Sequence, residues 1–367
     1  MPAFAAVTLL ASAVAYLVFA MRGDPVDVRR PRETLSEDRA PPRSVEPHGA
    51  RVEQGRGRSA DSPTDIPARG WKDILVRVYK NLTEQRLFAI AAGVTFYSIL
   101  ALFPAIAAFV ALYGLFADSS TISSNLQSLS GVLPEGGMAV LDDQLRSLAA
   151  QPQDKLGLTF FVSIALALWS ANAGMKALLD ALNVVYGERE KRGFFKLNAI
   201  SLSLTIGAMV LLIASAAAVV VLPAILDMVW LGALSEGIVR FGRWPLLLFV
   251  VGLALAVVYR YGPSRDAPQW RWVTAGSGVA AVIWLAASIL FSWYASEFGS
   301  YNRTYGSLGA IIGFMVWIWI SSIVVLLGAE LDAEMEHQTV KDTTQGSPVP
   351  LGARGAQMAD TVGAAQG

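Results

Sequence analysis

Long apolar runs alternate along this chain with short polar segments. The clearest run is Leu308 through Ala329, inside the stretch Ser307–Glu330 (SLGAIIGFMVWIWISSIVVLLGAE), and it contains no charged residue. About 20 apolar residues rising ~1.5 Å each cross the ~30 Å hydrocarbon layer, so this run predicts a spanning helix. Similar runs cover 87–116, 158–182, 197–222, 244–259 and 272–294. They are continuous, not alternating, which argues against barrel strands. The pattern predicts an all-α, polytopic membrane helix bundle with a six-helix core, within a membrane domain at 71–337.

The flanks read differently. Residues 1–21 are a further apolar run with nothing charged before it and Arg22 after it. This favours an uncleaved transmembrane anchor with an external N-terminus. A signal-like segment, with Val18-Phe19-Ala20 as its cleavage site, is the competing reading. Residues 22–70 are rich in Pro, Arg, Gly, Ser and Asp and lack periodicity, so a disordered linker is expected. Its arginines could bind RNA or anionic lipid, but interspersed acids and absent aromatics favour a solvated tether. In 71–86, Trp71, Ile74, Leu75, Val78 and Leu82 share one helical face, predicting an interfacial helix. Loop 117–157 is polar, with one short amphipathic stretch through Leu141, Leu145 and Leu148. Residues 338–367 read as a disordered tail.

Composition agrees with the pattern. Apolar residues make up 54% of the chain and charged residues only 16%, against about a quarter charged in soluble domains. Net charge is zero, so no global field points to nucleic acid. Local charge is more informative, because Lys and Arg retained in short loops mark the cytoplasmic side. Basic residues crowd 22–86, the turn 187–196 (Arg189, Lys191, Arg192, Lys196) and the turn 260–271 (Arg260, Arg265, Arg271). The intervening loops 117–157, 223–243 and 295–306 are sparse in them. The alternation predicts a six-span core with both ends cytoplasmic, the linker and the C-terminus among them.

Candidate chemistry is limited. There is no Cys, and both histidines, His48 and His337, lie outside the apolar runs. No HExxH or GxxxxGK[ST] motif occurs, and no convergent carboxylates of the kind a two-metal nuclease needs are evident. No catalytic residue, metal or cofactor is expected. Within the third run, Asn172, Lys176, Asp180 and Asn183 lie on one helical stripe, and Glu330 ends the last span on the same side. Charged groups at membrane depth are functional candidates. The stripe therefore predicts a polar cluster at the cytoplasmic mouth, although a snorkelling Lys176 with Asp180 at i+4 would leave the same pattern. Helix contacts are expected at Gly93, Pro104, Gly276, and the GxxxG pair Gly309 and Gly313.

Several motifs occur together in order. They are Phe96-Tyr97-Ser98 through Phe103-Pro104, Ala181-Leu182-Asn183-Val184-Val185-Tyr186-Gly187 with Arg192-Gly193, Tyr305-Gly306-Ser307-Leu308-Gly309, and Leu327-Gly328-Ala329-Glu330-Leu331. Over roughly 75–335 this combination resembles the YihY/BrkB family. The resemblance implies a six-helix bacterial inner-membrane protein, to which residues 1–70 are an addition. Family members have carried the label ribonuclease BN, which the residue inventory argues against, and serum-resistance or virulence labels. Links to lipid movement have also been suggested. Three roles therefore rank in order: a non-enzymatic helper in moving lipid or another envelope component, a scaffold docking a periplasmic protein through 117–157, and an ion or small-solute transporter. The lipid bilayer is the expected partner and nucleic acid is not.

Overall fold

The computed structural model describes residues 53, 55–116, 153–228, 233–297 and 307–366. The first anchor, most of the linker and most of loop 117–157 lie outside the described residues. Helices α1 (Ala68–Glu84), α2 (Leu87–Phe116), α3 (Gln153–Val185), α4 (Phe194–Met228), α5 (Ala233–Tyr261), α6 (Trp270–Glu297) and α7 (Ser307–Glu336) follow in order, with a short α8 at Gln357–Asp360. Each expected core span falls on one of α2–α7. The described residues form no strand, only an isolated bridge between Pro268 and Thr344.

Four described stretches are long and apolar enough to cross a membrane: Phe194–Leu211, Trp244–Tyr261, Trp270–Tyr294 and Ile311–Glu336. Leu87–Ala101 adds a shorter apolar helix. Much of their apolar surface faces outward, as Phe249, Leu253, Val282 and Leu290 illustrate. A water-soluble fold would bury these side chains; lipid is the solvent that suits them. Hydroxyls in α2 and α4 bond within their own helix: Thr95 to the Ala91 carbonyl, Ser98 to Val94 and Thr205 to Ser201. Such internal satisfaction is what a waterless medium requires.

The bounds of α4, α5 and α7 differ from expectation. Helix α4 runs past Pro223 to Met228, and α5 starts at Ala233, before Trp244-Pro245. Proline is tolerated inside membrane helices, so it is a poor stop signal there. Helix α7 continues beyond Ala329 to Glu336, because its terminal acids are buried against partners.

Helices α6 and α7 cross closely and antiparallel. A Cβ on Gly276 would lie 2.5 Å from the Gly328 carbonyl oxygen, and one on Gly328 would lie 2.5 Å from the Ala280 Cβ. Farther along, Trp284 Nε1 donates to Ser321 Oγ at 3.0 Å, and Trp317 Nε1 donates to Ser288 Oγ at 3.4 Å. Gly276 lies against Gly328 and Asp332 of α7. Gly93 and Gly313 face open space, and the close approach of α2 and α3 is instead at Gly174, against the Ser98 backbone. A glycine pair signals only that close approach is affordable, not which helix uses it. The side chains of Pro104 and Gly309 lie outside those described.

The described parts of two segments expected to be disordered, 55–70 and 338–366, are folded. Ala60 and Ile66 pack with Ile74, Val78, Trp272, Leu331 and Met335. Residues 338–366 lie across the same end of the bundle, where Met358 joins the core formed by Leu182, Tyr186, Tyr259 and Ala333. Arg354 holds this tail together, donating to the carbonyls of Val340, Lys341, Val349 and Ala359 at 2.6–3.0 Å. The composition argument fails here because order comes from satisfied carbonyls and one inserted side chain, not from an apolar stripe.

Candidate functional site

Among the described residues, basic segments meet at one end of the helices. Helix α3 closes at Gly187, whose φ of +65° suits glycine, with Glu188 N–H donating to the Asn183 carbonyl at 2.7 Å. The Asn183 side chain then ties this turn to the next one. Its Oδ1 accepts from Ser264 N–H at 2.7 Å, and its Nδ2 donates to Glu190 Oε2 at 3.1 Å. Arg192 binds Glu190 and also donates to the Gly262 carbonyl at 2.8 Å. The Arg192 hydrogen bonds hold the Glu190 carboxyl down at about 2.

At the centre of this end stand the last two turns of α7. Glu330, Asp332, Glu334 and Glu336 are all buried, none more than 2% exposed. They form two stripes with i,i+4 spacing. Glu330 and Glu334 face α1, where Asn81 Nδ2 donates to Glu330 Oε1 at 2.6 Å and to Glu334 Oε1 at 2.9 Å. Arg77, one turn before Asn81, binds Glu334 and donates to Gln338 Oε1 at 2.7 Å. His337 approaches Glu334 to 3.5 Å. The antiparallel match of Arg77 and Asn81 with Glu334 and Glu330 docks α1 on α7.

Asp332 and Glu336 face the other way. Gly276 N–H donates to Asp332 Oδ1 at 2.7 Å, an approach that a side chain on residue 276 would block. Arg265 grips Glu336 through two bonds of 2.9 Å, stacks 3.9 Å from the Tyr186 ring centre, and is itself buried. Such planar two-point pairing is the strong form of a carboxylate contact.

The cluster expected from the sequence is therefore not one site. Glu330 turns toward α1. Asn183 organises the α3–α4 and α5–α6 turns. Lys176 reaches across to α4 and donates to Asn198 Oδ1 at 2.6 Å, while Asp180 is exposed. Asn172 is half-buried, and its Oδ1 has no partner. Sequence reasoning missed Asp332, Glu334, Glu336, Arg77, Asn81 and Arg265. The available signal was Glu330-Leu331-Asp332-Ala333-Glu334-Met335-Glu336, since acids at every second position of a helix cannot all share one solvent face. Among the described residues, no group of His, Cys, Asp and Glu is arranged to hold a metal.

Residues 78–350 match the family model described as virulence factor BrkB. The ribonuclease-like protein YfkH of Bacillus subtilis is 38% identical over 185 residues, covering 48% of this chain and 65% of that protein. A UPF0761 membrane protein of Kangiella koreensis is 27% identical over 259 residues, covering 68% and 60%. One from Chromohalobacter salexigens is 30% identical over 277 residues, covering 72% and 64%. The chain spans less than two thirds of the length of these curated relatives. No solved structure matches.

Proposed function

Because this chain belongs to the BrkB family of membrane proteins, we propose that it moves a lipid or another amphipathic envelope component in the bacterial inner membrane, without catalysing a reaction. The observation that carries this reading is Lys176. It is a partly buried cation at the α3–α4 seam, bound to Asn198, with Phe194 and Phe195 exposed near the start of α4. A cation among outward-facing apolar and aromatic groups is a place where an anionic headgroup can rest while its chains stay in lipid. Positive residues at the polar end favour a cytoplasmic location for that end and for the C-terminus.

The name of YfkH raises ribonuclease chemistry for that relative. In this chain the buried carboxylates of α7 diverge to two sides and take donors from Asn81, Arg77, Gly276 and Arg265, an arrangement that supports a structural and binding role. The test is lipid exchange in proteoliposomes. Lys176→Ala and Asn198→Ala should each slow exchange about tenfold, as loss of one charge-assisted contact implies. Unchanged exchange in both folded variants would overturn the reading. The scaffold alternative rests on 117–157, which lies almost wholly outside the described residues.

A further inference from the structure

The four buried carboxylates of α7 are served by two arginines. Arg77 takes Glu334 and Arg265 takes Glu336. Asp332 takes the Gly276 N–H at Oδ1, with Arg265 among its neighbouring charges, and its Oδ2 has no hydrogen-bond partner. Glu330 differs. It is fully buried, its neighbouring charge is another carboxylate, Glu334, and the groups brought to it are the neutral amides of Asn81 on α1 and of Gln85 just past the end of α1. Arg77 directs its bonds to Glu334, Gln338 and the Ala364 carbonyl. Two oxygens here are buried with no hydrogen-bond partner: Glu330 Oε2 and Gln85 Oε1. Both are acceptors, so neither can satisfy the other while Glu330 is ionised.

We propose that Glu330 is a proton-binding site. One proton from water adds to Oε2, converting the carboxylate to a neutral carboxylic acid, and the new O–H donates toward Gln85 Oε1. A single proton thereby resolves both orphaned oxygens and removes an uncompensated charge from the interior, where an unpaired ion is neutralised rather than kept. A metal cation fits poorly, because hard cations take about six or more oxygen ligands and this corner offers two unpartnered ones. The proton has a mechanical consequence. Asn81 Nδ2 is shared between Glu330 and Glu334, and neutralising Glu330 weakens its claim on that donor. The α1–α7 contact, and through Arg77 the tail carbonyl of Ala364, then respond to proton uptake.

This site goes beyond the lipid-handling proposal and stands or falls separately from it. The test is infrared difference spectroscopy of the full chain in lipid nanodiscs during a pH titration. The expected result is a carbonyl stretch from a neutral carboxylic acid that appears on acidification, is lost in Glu330→Gln and is retained in Asp332→Asn. In Gln85→Leu, which removes the acceptor but no titrating group, the band should persist and move to higher frequency. The proposal is overturned if the band survives in Glu330→Gln. It is equally overturned if sodium at fixed pH displaces the band, which would make the site a cation site. Should Glu330→Gln not fold, an unshifted band in Gln85→Leu overturns it alone.

Discussion

The two acidic stripes of α7 are built from similar residues and behave as opposites. On the Asp332–Glu336 side, the donors are a glycine N–H and a guanidinium locked in two-point geometry over Tyr186. None of these can turn away without breaking the α6–α7 packing. On the Glu330–Glu334 side, the donors are a shared amide and an arginine that also serves the tail. Those donors are divided between acceptors, and Glu330 Oε2 and Gln85 Oε1 are left over, as Asp332 Oδ2 is on the other stripe. The comparison teaches that burying a carboxylate does not define its role. Fixed donors make a fastening, and exchangeable donors make a responsive element.

Mutations can break or sharpen this contrast. The largest effect is expected for Arg265→Ala, which strands a buried Glu336; it should destabilise the protein by about 3–5 kcal/mol, read as a loss of thermal stability in detergent. Gly276→Ala comes next, because its Cβ would lie 2.4 Å from Asp332 Oδ1. Overpacking of this kind costs about 1–3 kcal/mol, and the midpoint of thermal unfolding checks it.

A smaller effect is expected at Glu190, whose carboxyl is held at about 2 against an ordinary value of 4.5. A depressed folded value means that the stabilisation is present above pH 4.5 and fades as pH falls toward 2. Glu190→Gln should therefore cost about 1 kcal/mol near neutrality, discounted for solvent screening, and the gap to wild type should close in acid melts. The smallest effect belongs to Glu330→Gln, expected within about 0.5 kcal/mol of wild type at neutral pH, since Gln replaces a group proposed to be neutral. A large loss there would erase the distinction between the stripes.

The sequence made some of these features readable and hid others. The positions of α2–α7 were readable because lipid forces backbone groups to bond internally, and long apolar runs announce that. The alternation of basic turns was readable too, and those turns do meet: Asn183 touches Ser264, Arg192 touches Gly262, and Gln357 N–H reaches Glu188. The partners of individual polar residues were not. Lys176 has Asp180 one turn away but bonds to Asn198 on another helix, and spacing along one helix carries no information about such crossings. The ordered tail was hidden for a related reason: the grip of Arg354 on four carbonyls depends on chain path, not residue type.

The glycine crossing of α6 and α7 constrains how the molecule can change shape. With Gly276 against Gly328 at one end and two tryptophan–serine bridges farther along, these helices travel as a single rigid lever. Among the described residues, α4 packs mainly against α3 and α5. On the lipid-handling proposal, opening is expected beside Lys176 and Asn198.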